Sequence, residues 1–229
     1  MATSASLANW QGAKAPDHHR VLEGRYVRLE ALDPARHGDD LWRQFQGPGS
    51  DTKLWDYMSY GPFPNRADFD AFLSKNAESA DPLFYAVVDV ATGEAQGELS
   101  YLRIAPAHGN IEIGHVAFGA SMQRSVKSTE AVYLMAEEAF ALGNRRLEWK
   151  CNNENDRSKR AAERFGFLFE GVFRQHMVVK GCNRDTAWYS ILDGEWPKVR
   201  SAFVKWLADD NFDEHGRQKH SLSALREAH

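Results

Sequence analysis

Three strand-like runs joined by turns of hairpin length, passing straight into a helix, constrain this chain more than any other feature. "PLFYAVVDV", "AQGELSYLRIA" and "IEIGHVAFG" are apolar and rich in β-formers. "ATGE" and "PAHGN" separate them, so the runs read as an antiparallel meander. Directly after the third run comes "QRSVKSTEA", Gln123 to Ala131, and then the period changes. Val132, Met135, Ala136, Ala139 and Leu142 fall on one helical stripe, and Gly143 suits the position after a helix end. Small hydroxyl residues and the cations Arg124 and Lys127 thus stand where a strand hands over to a helix.

The flanking segments complete one domain. Gly24 to Leu32 alternates as a first strand, and Asp33-Pro34 is a cap followed by a preset φ, opening a helix with Leu41, Trp42 and Phe45 on its apolar stripe. A second helix is expected from about Asn65 to Lys75. After the meander and its helix come a strand, "RRLEWKC", a short helix from about Asp156 to Phe165, and a closing hairpin around "KGCNRD". Val199, Phe203, Trp206 and Leu207 mark one more helix. The expected architecture is α+β, with a mixed, mostly antiparallel sheet flanked by helices and an extra C-terminal helix. Residues 1–21 read as an extended arm that Trp10 anchors, 22–194 as the domain, and 195–229 as the helix and a polar tail. The tail after Phe212 is expected to be weakly ordered unless a partner holds it.

Composition excludes several function classes. A net charge of −4 argues against a broad nucleic-acid surface. Two cysteines, Cys151 and Cys182, make neither a disulfide framework nor a zinc cluster, and no metal is expected. No run is long and apolar enough for a membrane span, and the start has no secretory apolar region. A cytoplasmic protein with reduced thiols is expected.

The chain resembles the Gcn5-related N-acetyltransferases (GNAT), in the branch that includes the ribosomal-protein N-terminal acetyltransferases, from roughly Leu22 to Leu192. That family carries Q/R-x-x-G-x-G/A, followed in this branch by T-E-A. Here Gln123 and Thr129-Glu130-Ala131 match, whereas Val126 and Ser128 stand at the two glycine positions. "IEIGHVAFG" is similar to the cofactor-facing strand, Asn155 to Ser158 matches N-x-x-S, and "AERFGFLFEG" matches the segment entering the last hairpin. The resemblance implies acetyl-CoA as co-substrate, with its pyrophosphate at the helix start, where unpaired N–H groups and the macrodipole favour an anion. Val126 is ill suited to positive φ, so the loop is expected to use ordinary backbone angles, with Arg124, Lys127, Ser125, Ser128 and Thr129 offsetting the lost glycines. A capped helix start with solvated cations is the plain alternative.

Acetyl transfer to an amine needs the neutral amine, a base, a donor for the oxyanion and a proton or hydrogen bond for the thiolate. Glu112 is the first base candidate and His115 the second. Strand alternation puts the two on opposite faces unless a bulge intervenes. The resemblance assigns backbone contacts with the pantetheine arm and carbonyl to Val116, Ala117 and Phe118, and coenzyme contacts to Asn155 and Ser158, the latter near the sulfur. Asn155 is equally an ordinary helix cap. Tyr189 is a candidate thiolate donor or a packing residue, and Arg184 and Asp185 read as turn-fixing. Arg174 and His176 share a strand face that suits an acceptor groove, and Trp42, Trp55 and Tyr57 suit either its wall or the core. The acceptor would be a protein N-terminus, possible on a ribosomal protein, or a small amine. A non-catalytic acyl-CoA sensor and an interaction module of the same fold are the alternatives. The C-terminal helix would serve a homodimer or pack on its own domain.

Overall fold

The computed structural model describes residue 7 and residues 9–228. In it, β1 (Leu22–Glu23) and β2 (Val27–Ala31) form a tight opening hairpin. Asp33 accepts the Ala35 N–H to start α1 (Pro34–Gln46), and Asn65 caps α2 (Arg66–Ala77) by accepting from Asp68. The meander is β3 (Leu83–Asp89), β4 (Ala95–Ala105) and β5 (Asn110–Phe118). Then follow α3 (Val126–Ala141), β6 (Arg146–Asn152), α4 (Asp156–Phe165), β7 (Leu168–Val179), β8 (Cys182–Leu192), α5 (Trp196–Leu207) and α6 (Leu222–Glu227). The strands make one eight-stranded sheet in the order β1-β2-β3-β4-β5-β6-β8-β7. Every pairing is antiparallel except β5 with β6, which α3 joins as a crossover.

Two cores flank the sheet. On one face the stripes of α3 and α5, including Val132, Met135, Phe203 and Trp206, bury Leu29, Tyr85, Leu99, Ile111 and Ile113. On the other, Leu41, Phe45, Phe69 and Leu73 of α1 and α2 bury Phe84, Ala86, Val88 and Ala117. The short helices α1 and α2 lie over β3 and β4, so the same face of β6, β8 and β7 is left for the cavities described below.

The expectation for the tail is corrected. Residues beyond Phe212 fold back as α6, capped by Ser221 and anchored by the buried Leu222. Asn211 holds the return: its amide donates to the Trp206 and His220 carbonyls, and its oxygen accepts the His220 N–H. Arg226 then donates to the Arg164 and Glu163 carbonyls at the end of α4, satisfying acceptors that the helix leaves open. These side-chain-to-backbone bonds carry no periodic signal, which is why polarity alone misleads here.

Glu130 explains the middle of the T-E-A segment. Its buried carboxylate accepts the backbone N–H groups of Arg25, Tyr26 and Val27 at 2.9, 2.6 and 2.8 Å, pinning the β1–β2 turn to α3. A Cβ at Gly24 would lie 2.6 Å from that carboxyl, so glycine is needed for the approach. Glu130→Ala would leave three donors without their acceptor and should lower stability by roughly 3 kcal/mol, read from urea unfolding midpoints, whereas Glu137→Ala on the exposed side of α3 should change it by less than about 1 kcal/mol.

Candidate active site

The parallel ladder between β5 and β6 runs from Asn110 opposite Arg146 to Ile113 opposite Trp149 and stops there. Both strands continue, β5 to Phe118 and β6 to Asn152, and a wedge opens between them. The cause lies in β5. Across from β4, Gly114 faces Ser100 and Ala117 faces Glu98, so His115 and Val116 together oppose Leu99. This is a β-bulge, with His115 in the left-handed region at φ 51°. The bulge also reverses the alternation. Val116 and Phe118 pack with the α3 side and Ala117 with the α1–α2 side. His115, which strict alternation sets opposite Glu112, therefore shares its face.

The mouth of the wedge is framed by two helix starts. At α3, Ser125 is the cap and accepts the Ser128 N–H. Val126 avoids positive φ, but the expectation of ordinary angles through the loop is corrected, since Arg124 takes a left-handed turn at φ 58° just before the helix. The hydroxyls are already engaged: Ser125 donates to Met122 O at 2.6 Å, Ser128 and Thr129 donate to Ser125 O, and Thr129 accepts from Arg164 at 3.0 Å. Lys127 donates to Asp89 at 2.7 Å and to Gln96 at 3.1 Å. Lys127, Ser128 and Thr129 thus serve the fold here, while Arg124 stays exposed at the mouth. At α4, Asn155 caps Ser158 N–H at 3.1 Å, and Ser158 Oγ accepts from Trp149 Nε1 at 2.9 Å.

A loop ties these two starts together. Gln123 donates to Phe118 O at 3.0 Å and to Asp51 at 3.3 Å, and Asp51 also accepts from Arg157 of α4 at 2.8 Å. Asp51 belongs to the connection between α1 and α2. Farther along it, Tyr57 donates to Glu154 O at 3.1 Å, and Lys180 from the β7–β8 turn donates to Trp55 O and Gly61 O at 2.9 and 2.7 Å. Trp55 itself is core, and Trp42 packs on Phe69.

Below the wedge, on the α1–α2 face, charged groups gather. Glu112 is 1 % exposed and meets Lys150 Nζ at 3.2 Å and Arg103 Nε at 3.5 Å. Burial pushes its carboxyl up to about 7, against the pull of Lys150 and Arg103. Burial, then the charges of Lys150 and Arg184, push His115 down to about 4, so its ring is neutral. Tyr60 lies 3.0 Å from His115 Nδ1. Burial, with Glu98 nearby, keeps the Tyr60 hydroxyl protonated. The Tyr60 hydroxyl donates to Nδ1 when the ring proton is on Nε2 and accepts from Nδ1–H in the other tautomer. In the first tautomer the neutral His115 ring is suited to donate a hydrogen bond from Nε2. Tyr189 is buried on the opposite face, its hydroxyl 3.5 Å from Glu163 of α4, and burial raises it to about 12.

Sequence reasoning missed Tyr60, Glu98, Arg103 and Lys150. Arg103 reaches Glu112 because a second register shift in β4, with Arg103 at φ 51°, turns it onto this face. Of the two hairpin residues, Asp185 does fix local backbone, accepting from Gln175 N–H at 2.7 Å, but Arg184 acts on the site, depressing His115 and His176. Arg174 and His176 line a cavity of about 920 Å³ with Phe173, Gln175, Asn183 and Asp185. Glu98 is fully buried on β4 with neither oxygen hydrogen-bonded, and burial raises it to about 8.

Because that folded value exceeds the ordinary 4.5, Glu98 contributes stability at low pH that is lost as pH rises towards about 8. The Tm of Glu98→Gln should therefore gain on wild type as pH goes from about 5 to about 8, by several degrees in all, in calorimetric scans across that range.

A family model described as an acetyltransferase (GNAT) domain matches residues 28–168. A GCN5-related N-acetyltransferase from Brucella melitensis is 47% identical over 96% of this chain and 100% of that one, with a TM-score of 0.93. A probable GNAT-family acetyltransferase from Chromobacterium violaceum ATCC 12472 is 42% identical over 85% and 96%, with a TM-score of 0.79. The microcin C7 self-immunity acetyltransferase MccE, crystallised with acetyl-CoA and AMP, is 21% identical over 74% and 93%, with a TM-score of 0.64, and shares the fold. No curated protein is matched by the chain. Among the described residues, no helix is long and apolar enough to cross a membrane and no group of three or more His, Cys, Asp or Glu residues could hold a metal ion.

Proposed function

The chain belongs to the GNAT acetyltransferase family, and from that footing we propose that it is an acetyl-CoA-dependent N-acetyltransferase acting on a primary amine. The observation that carries this reading is the wedge between β5 and β6 with Glu112 beneath it. The residues fit the coenzyme. The edge of β5 from Gly114 to Phe118 is released from β6, offering backbone groups for an amide-bearing arm. The start of α3 and exposed Arg124 suit its anionic end, without glycine at Val126 or Ser128. Asn155 and Ser158 stand at the opposite wall on α4.

Acetyl-CoA supplies an activated thioester carbonyl. In the transfer, the C–N bond forms and the C–S bond breaks. The proton lost from the amine goes to a base, and the departing thiolate takes one up. Glu112 is placed to be that base, poised near neutrality by burial. Lys150 beside it disfavours an ammonium ion and so favours the neutral amine. His115 Nε2–H and the β5 backbone edge are suited to donate to the carbonyl oxygen. Tyr189 and Ser158 remain the candidates near the sulfur, Tyr189 by virtue of a retained proton.

A protein N-terminus, including one of a ribosomal protein, and a small free amine are both primary amines. The T-E-A segment does not favour the former, since Glu130 is occupied with the β1–β2 turn. The test is release of coenzyme thiol from acetyl-CoA across a panel of peptides and small amines. Turnover should rise with pH through about 7 as Glu112 ionises. Glu112→Gln should lower kcat about 10²–10⁴-fold and erase that limb, leaving only the acceptor's own ionisation. Coenzyme binding with no turnover of any amine would favour a sensor instead.

A further inference from the structure

Unpaired donors and unpaired acceptors both collect on the open face of β6 and β8. Of the buried polar atoms that lack a hydrogen-bond partner among the described residues, Arg184 Nε and Trp188 Nε1 lie here, and so do the carboxylate oxygens Glu112 Oε2 and Glu148 Oε2, which suit an amine; Trp188 is only 7 % exposed. A buried N–H left unpaired is costly, so two on one functional face point to an oxygen ligand that completes them. Charge agrees. Arg146 is taken by Glu148 and bidentately by Glu170, at 2.7, 2.5 and 2.6 Å. That leaves Lys150, Arg103 and Arg184, opposed by Glu112 and by a distant Glu148 oxygen 3.8 Å from Arg103. Arg103 and Lys150 also stand over the Trp188 ring, at 5.0 and 5.3 Å. Two histidines on this face, His115 and His176, are both held neutral by burial and by Lys150 and Arg184.

A cavity of about 430 Å³ is lined by Arg103, Glu148, Glu170, Phe173, His176 and Trp188, among others, and shares Phe173 and His176 with the larger cavity at the β7–β8 hairpin. It has room for a small molecule, and Glu112, Lys150 and Arg184 stand on the same face of the sheet beside it.

Resting on the N-acetyltransferase reading, we propose that the acceptor is a small primary amine carrying a carboxylate or phosphate a few bonds from its nitrogen. The anion lies against Arg184, Arg103 and the Trp188 N–H, and the amine lies beside Glu112. Arg184 is then a specificity residue of the acceptor site.

The experiment uses the full chain with saturating acetyl-CoA and follows thiol release. Acceptors are L-amino acids with aromatic, aliphatic and basic side chains, their amides, aminoalkyl phosphates and a short peptide with a free N-terminus. Acids or phosphates should exceed the amides and the peptide in kcat/KM by about tenfold to a hundredfold. Arg184→Met should raise KM for the anionic acceptor by about tenfold and leave the calorimetric Kd of acetyl-CoA unchanged. Arg103→Met, at a more exposed position, gives the same test should the first variant fold poorly. Preference for the acid locates the anion in a carboxylate, and preference for the aminoalkyl compound locates it in a phosphate. Amides or the peptide used as well as the acids, no turnover of any anionic acceptor, or an unchanged preference in both variants would overturn the proposal. Turnover of amides or the peptide in place of the anionic acceptors would overturn this proposal and keep the enzyme reading, whereas acetyl-CoA binding with no turnover of any amine would remove both in favour of a sensor.

Discussion

A bulge opposite Leu99 bends β5 away from β6, and the wedge and the placement of His115 on the Glu112 face both follow from it. Parallel pairing survives only over the first part of the two strands, from Asn110 to Ile113. Beyond that point the backbone of β5 no longer has β6 as its partner. A sheet interior that lacks a partner strand is costly unless something else uses the exposed groups. The bulge therefore acts as a device that converts a continuous ladder into a binding edge, and the left-handed His115 is the local conformational cost.

The polar interior tells the same story. The two cores hold ordinary apolar packing, yet the half-open face retains Glu112, Glu148, Lys150, Arg184 and Trp188 with incomplete hydrogen bonding. Apolar residues of similar size would make a more stable protein. Sequences break local rules of this kind at functional sites and compensate elsewhere, here through the packing of α3 and α5 and the Glu130 clamp.

Much of this is legible in the sequence. The meander, the crossover helix and the closing hairpin follow from the change of period at Gln123 and from the turn residues. Asp33, Asn155 and Gly143 mark helix ends by their own chemistry, Gly143 in the left-handed region at φ 87° just after α3. Glu112 is legible as a carboxylate on the third strand of the meander. The remainder was hidden for identifiable reasons. A bulge shifts alternation by one residue and leaves no mark in composition, so the Glu112 and His115 faces read as opposed. Tyr60 and Lys180 act from loops far away in sequence. The hydroxyls and Lys127 of "QRSVKSTEA" looked like anion ligands, whereas Asp89, Gln96 and the helix's own backbone occupy them. The polar tail looked unstructured because its anchors, Asn211 and Arg226, bind backbone.

The account depends on coenzyme occupying the wedge. The most direct measurement is thermal unfolding of the purified chain during titration with acetyl-CoA. A ligand that binds only the native state, at about 100 times its Kd, adds about 2.7 kcal/mol. The account predicts a rise of several degrees in Tm, much reduced by Arg124→Glu at the exposed mouth of the wedge. An unchanged Tm for the wild-type chain at millimolar acetyl-CoA would contradict it.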